Sequence, residues 1–232
     1  ANDVYEAVAG LLNLSAEDVS SIAQTAVDTG EIPSVVYDME RYLYLPYLYE
    51  AETEAALRIK DMSEDDREIG NASLAIEKFE REHGFSLEKK QKEAIKESMK
   101  SGVMVITGGP GTGKTTLIQA IIGAAEQYGV KVKLMAPTGR AAKRLAISSG
   151  RNADTIHKAL EASMRDHGHT YFEKNEAEPL EEDLIIVDEA SMLDISLFYH
   201  LLCALKPEAR LILVGDIDQL PPVGPGMPLK DL

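Results

Sequence analysis

Apolar residues recur at helical spacing over residues 3–12 (DVYEAVAGLL) and 16–28 (AEDVSSIAQTAVD), which predicts two amphipathic helices. Ser15 stands where the second helix needs an N-cap, and Gly30 marks its end. IPSVVY and RYLYL follow as β-branched and tyrosine-rich runs around Asp38-Met39-Glu40, a pattern that predicts two short strands and a turn. Pro46 opens a further helix expected to run to about Met62, ahead of the hydrophilic joint Ser63-Glu64-Asp65-Asp66. Two helices followed by a hairpin outline a small winged-helix-like module over residues 1–65.

From about residue 66 the pattern changes. Helical stretches alternate with short runs that are apolar throughout: VMVIT (103–107), VKLMA (132–136), LIIVD (184–188) and RLILVG (210–215). Strands without alternation, separated by helices, belong to a parallel sheet covered on both faces. The expected fold class is therefore α/β, a doubly wound parallel sheet flanked by helices over residues 66–232, preceded by the small module.

Composition agrees with a folded chain: 232 residues, 44% hydrophobic and 27% charged, which excludes disordered and collagen-like classes. No run approaches the ~18 apolar residues of a membrane span, and no basic-then-apolar leader is present, so a soluble, cytoplasmic protein with no membrane partner is expected. The lone Cys203 lies in the apolar segment ISLFYHLLCAL and reads as a buried hydrophobe. The formal net charge of −15 argues against nucleic acid until it is divided. Residues 1–80 hold 5 basic and 18 acidic side chains, and residues 81–232 hold 19 and 21. The acidic front module would repel phosphate, so a packing or protein-partner role is expected for it. By contrast, residues 127–153 carry Lys131, Lys133, Arg140, Lys143, Arg144 and Arg151 with no acid, either a solvated helix face or a positive surface.

The chemistry concentrates at strand ends. Gly108, Gly109, Pro110, Gly111, Thr112, Gly113, Lys114 and Thr115 match G-x-x-x-x-G-K-[ST] between a strand and a helix. Such a loop turns backbone N–H groups toward phosphate oxygens, and the helix start adds partial positive charge. Lys114 is expected on the β- and γ-phosphates and Thr115 on Mg²⁺, with Thr116 in the same nucleotide-binding set. Asp188 and Glu189 follow the strand LIIVD, where a carboxylate pair can hold the Mg²⁺ shell (Asp188) and activate water (Glu189). Gln219, in GDIDQLPPVG after the last strand, is an amide suited to sensing a γ-phosphate. His167 and His169 are expected in a mobile loop, with no cysteine or carboxylate at zinc-ligand spacing.

Taken in order, GGPGTGKT, APTGRAAKRL (136–145), ADTIHKAL (153–160), DEASM and GDIDQLPPVGPG resemble motifs I, Ia, Ib, II and III of superfamily 1 DNA helicases, specifically the RecD/TraA group. FSLEKKQKEAI (85–95) resembles the Q motif of that family, which implies that Gln91 contacts adenine. The resemblance covers about 145 residues. It implies ATP as the nucleotide, 5′-to-3′ movement on single-stranded DNA, and DNA contacts from Thr138, Gly139, Thr155 and His157. The basic side chains of Arg140, Lys143 and Arg144 lie directly after the strand VKLMA and support that track on charge alone.

Complete members carry a second RecA-like domain whose arginines finish the ATP site. The expectation is that this chain is a fragment ending after motif III, able to bind nucleotide but hydrolysing it poorly, since such an arginine is worth about 10³–10⁵ in rate. Two other functions stay open at this point: a P-loop ATPase or kinase with a non-DNA acceptor, and a nucleotide-dependent interaction module.

Overall fold

Leu184–Val187 and Arg210–Gly215 are buried at every residue, because both strands are covered by helices on two faces. The computed structural model describes residues 1–109, 111–164, 170–219 and 221–232. The elements are α1 (Asn2–Leu12), α2 (Ala16–Asp28), β1 (Ser34–Tyr37), β2 (Glu40–Leu43), α3 (Pro46–Ser63), α4 (Ala72–His83), α5 (Lys89–Ser98), β3 (Val103–Thr107), α6 (Lys114–Gln127) and β4 (Val132–Ala136). They continue with α7 (Gly139–Ser149), β5 (Ala153–Thr155), α8 (Ile156–Ala159), β6 (Ala162–Met164), β7 (Thr170–Phe172), β8 (Leu184–Val187), α9 (Ile195–Cys203), β9 (Arg210–Gly215) and α10 (Pro228–Asp231). Two compact units result, 1–54 and 55–232.

In the first unit the Ser15 side chain accepts from the Asp18 N–H at 3.1 Å and caps α2. The hairpin turn consists of Asp38 and Met39 at φ 52° and 63°, the two-positive-φ geometry that matches strand twist. Glu40, expected in the turn, therefore belongs to β2 and pairs with Tyr37. The N-terminal ammonium donates to the Arg41 carbonyl at 2.9 Å and holds α1 to the hairpin.

The division at 54/55 falls inside α3, ahead of the joint expected at residue 65. The reason is packing: Ala55, Ile59 and Met62 of α3 belong to the core of the second unit.

That second unit is built on a five-stranded sheet in the order β3-β9-β8-β4-β5, parallel throughout. Side chains alternate across it with period 2. Ile106, Leu134, Leu184, Ile186, Ile212 and Val214 meet α4, α5 and α6 on one face. Met135, Ile185, Val187, Leu211 and Leu213 meet Phe198, Leu201 and Leu202 of α9 on the other. Cys203 is buried at the end of α9. β8 stops at Val187, one residue short of expectation, because Glu189 turns into the left-handed region and leads the chain off the sheet. His167 and His169 lie outside the described residues.

His200 of α9 is half-buried with its ring 4.6 Å from that of Phe172. Burial holds its pKa below the ordinary value, partly offset by Asp194. A histidine kept neutral in the folded state contributes stability above its unfolded pKa of about 6.5, and that contribution is lost as pH falls below it. The thermal midpoint should therefore drop between about pH 7.5 and 5.5, and His200→Phe should flatten that slope in a calorimetric series. An unchanged slope in the variant rules this source out.

Candidate functional site

Because the five strands run parallel, their carboxyl ends open on one edge, where each delivers a polar loop. β3 ends at Thr107 and α6 begins at Lys114, so residues 108–113 form the connection. Pro110 lies outside the described residues. Gly111 and Gly113 adopt φ of 77° and 82°, a region that a Cβ penalises. At Gly108 a Cβ would stand 2.9 Å from Thr112 Oγ1, and that hydroxyl donates to the Gly109 carbonyl at 2.9 Å. The Lys114 ammonium donates to the carbonyls of Gly108 and Gly109 and lies across the loop. Among the described residues no side chain caps α6, so its first amides, next to Thr115 and Thr116, keep the donors that an anion can take.

Gln91 reaches this loop from another helix. Its Oε1 accepts from the Glu88 N–H at 3.0 Å, completing a capping box on α5. Its Nε2 would stand 2.7 Å from a Cβ on Gly113.

Two strands away, Asp188 follows β8, with its N–H donating to the Met135 carbonyl at 3.0 Å. Its Oδ1 accepts from the Glu189 N–H at 2.9 Å. Burial pushes the Asp188 carboxyl above its ordinary pKa and the Glu189 charge adds to that, while the Glu189 amide and the charges of Arg144 and Lys114 pull it down. The lysine of the glycine loop thus acts electrostatically on the carboxylate, and neither Asp188 nor Glu189 is sealed from solvent. Among the described residues, no cation forms an ion pair with Asp188, and no cluster of three His, Cys, Asp or Glu could hold a metal alone. That donor set fits Mg²⁺, which binds through one or two carboxylates plus phosphates and waters.

Glu189 sits at φ 55°, a strained position for a non-glycine residue, and its Oε1 pairs with the Arg144 guanidinium. Gly215 ends β9 where a Cβ would meet Leu229 Cδ2 at 2.5 Å and the Ser191 N at 3.1 Å. Only glycine lets β9 approach the turn after Glu189 this closely. Beyond it, the Asp216 carbonyl accepts from the Gln219 N–H at 3.1 Å, and the Gln219 side chain is exposed. A groove of about 660 Å³ brings together Thr138, Arg140, Lys143, Arg144, Glu189 and Gln219.

β4 and β5 end in the same device. Thr138 accepts from the Ala141 N–H at 3.2 Å and caps α7; Thr155 accepts from the Lys158 N–H at 3.2 Å and caps α8. Gly139 is the first residue of α7. His157 is exposed, its ring tilted 5.9 Å from that of Phe172. The basic stretch divides. Lys131 pairs with Glu181, Lys133 with Asp154 and Glu182, and Arg151 with Glu126, so these three charges are locally balanced. Glu126 and Asp154 lie immediately outside residues 127–153, and Glu181 and Glu182 lie just before β8, so the count within that stretch does not include them. Arg140 and Lys143 have no ion pair among the described residues. Arg144, expected on the DNA track, pairs with Glu189. Sequence reasoning also missed the two threonine caps, although a threonine just before a helical run is a legible signal.

Residues 91–225 match a family model described as an AAA domain. The chain is 38% identical over 229 residues to the ATP-dependent RecD2 DNA helicase of Deinococcus radiodurans, covering 98% of this chain and 30% of that protein. It is 37% identical over 165 residues to the RecBCD enzyme subunit RecD of Mycolicibacterium smegmatis, covering 61% of this chain and 29% of that one. It is 36% identical over 166 residues to the RecD subunit of Haemophilus influenzae, covering 61% and 26%. The chain thus spans about 30% of the first of these relatives. The fold and site define a P-loop protein of the AAA-domain class, a class whose loop binds nucleotide. The chain belongs to that AAA-domain family, and the relatives it resembles are RecD-type proteins.

The contact between Gln91 and Gly113 is testable without ligand. Gly113→Ala should lower stability by about 1–2 kcal/mol through its positive φ, plus a further amount for displacing the Gln91 amide. In a Gln91→Ala background only the first part should remain, measured by urea unfolding as a double-mutant cycle. Equal penalties in both backgrounds mean that the two residues do not interact.

Proposed function

We propose that this chain is the nucleotide-binding motor part of an ATP-dependent DNA helicase that moves 5′ to 3′ on single-stranded DNA in the cytoplasm. The observation that supports the proposal is that the uncapped glycine loop with Lys114 follows β3 while Asp188 and Glu189 follow β8, at the carboxyl ends of strands of one parallel sheet. The names of its RecD-like relatives support ATP and DNA as substrates.

In this reading, residues 108–113 with the first amides of α6, including Thr116, cradle the phosphates, and Gln91 takes the adenine. Lys114 swings from the Gly108 carbonyl to the β- and γ-phosphates, an exchange of neutral acceptors for charged ones. Thr115 and Asp188 hold Mg²⁺, which supplies neutralisation of phosphate charge when bound. Glu189 accepts the proton of the attacking water as its oxygen bonds to the γ-phosphorus, and the bond to the bridging oxygen breaks to release ADP. Gln219 senses the γ-phosphate. DNA passes over Thr138, Gly139, Arg140, Lys143, Thr155 and His157, whose helix starts and free cations suit backbone phosphates. The front module, with its excess of acids, is assigned to a protein partner.

The test is nucleotide binding by the full-length protein with a fluorescent ATP analogue, followed by DNA-stimulated ATP hydrolysis. Lys114→Ala should weaken binding by about 10-fold or more, the scale of a lost charge-assisted contact, and abolish hydrolysis. Undiminished binding in the variant, or hydrolysis indifferent to single-stranded DNA, overturns the reading.

A further inference from the structure

The structure gives Arg144 a partner that a simple DNA-contact role does not require. Its guanidinium pairs with Glu189, the carboxylate that the reading above assigns to the hydrolytic water. The partners are unequally placed: the Glu189 side chain is 16% exposed and that of Arg144 66%. The carboxylate is enclosed with one oxygen occupied, while the guanidinium keeps donors open to solvent.

Position on α7 explains how a ligand reaches this pair. Arg140 and Arg144 are four residues apart and Lys143 adjoins them, so all three share one helix face. That face and Glu189 line the same groove. A phosphate drawn to Arg140 and Lys143 arrives beside Arg144 and competes with Glu189 for it. Guanidinium binds phosphate in the same two-pronged geometry as carboxylate, and an exposed ion pair holds weakly enough to be exchanged.

Resting on the helicase reading, we propose that the Arg144–Glu189 ion pair is a DNA-responsive latch. Without DNA, Arg144 engages Glu189 and keeps it from the water. A backbone phosphate of single-stranded DNA takes Arg144, and the released carboxylate becomes the proton acceptor. Arg144 is thus a positioning residue that ties occupancy of the DNA track to hydrolysis.

The decisive measurement does not depend on hydrolysis. In the full-length protein without nucleotide, affinity for a fluorescent single-stranded oligonucleotide is measured by anisotropy. Glu189→Gln should tighten binding by about two- to fivefold, the scale of a released exposed ion pair, because Arg144 is freed. In an Arg144→Ala background the same substitution should change nothing. The ATPase then gives a second readout: Arg144→Ala raises DNA-free hydrolysis several-fold and flattens its stimulation by DNA, and Arg144→Lys restores part of the stimulation. Should Arg144→Ala fail to fold, Arg144→Gln takes its place in both measurements.

Tightening by Glu189→Gln that persists without Arg144 is general charge relief and overturns the latch. So does an Arg144 variant with basal hydrolysis unchanged or reduced and DNA stimulation intact. If the unmodified protein binds no single-stranded DNA, the helicase reading falls together with the latch; binding and stimulation without coupling sink the latch alone.

Discussion

Everything in the site follows from β8 lying parallel between β9 and β4, with its four residues packed against helices on both faces. Parallel strands cannot be joined by tight turns, so each must leave the sheet at its carboxyl end and return through a helix. The outcome is a single edge where Gly108, Asp216, Asp188, Thr138 and Ile156 emerge together. Of these, Ile156 is itself a core side chain. The apolar strands set the positions of the ends, and the polar groups inherit that placement.

Charge at this edge is arranged against solvation. Asp188 is half-buried and desolvation raises its pKa, with Lys114 and Arg144 working in the opposite direction. A half-buried carboxylate with a shifted pKa at the open edge of a parallel sheet is the kind of group that clusters at functional sites. Glu189, its neighbour, pays in backbone strain and is met by Arg144. The same edge therefore has one acid without an ion pair among the described residues and another engaged by a basic side chain.

Much of the fold was legible from residue pattern. VMVIT, VKLMA and RLILVG are strands over the expected residues, and α2 and α3 begin at the Ser15 cap and at Pro46. The three-residue strands β5, β6 and β7 were not predicted, since ADT, ASM and TYF carry too few side chains to show a period. The boundary in α3 was hidden for a related reason. One continuous helix gives its first half to one unit and Ala55, Ile59 and Met62 to the other, and nothing in helical spacing marks that change of partner.

Local chemistry was determined by the sequence itself: a glycine loop with its lysine, an acid pair after an apolar strand, and capping residues at helix starts, all of which act over a few neighbouring residues. Tertiary structure alone decided the pairings between distant segments. It neutralised Lys131, Lys133 and Arg151 with acids from elsewhere, left Arg140 and Lys143 open, and turned Arg144 onto Glu189, 45 residues away. Electrostatic partnership depends on distance in space, and the sheet brings strand ends together in an order, β3-β9-β8-β4-β5, that the chain does not spell out.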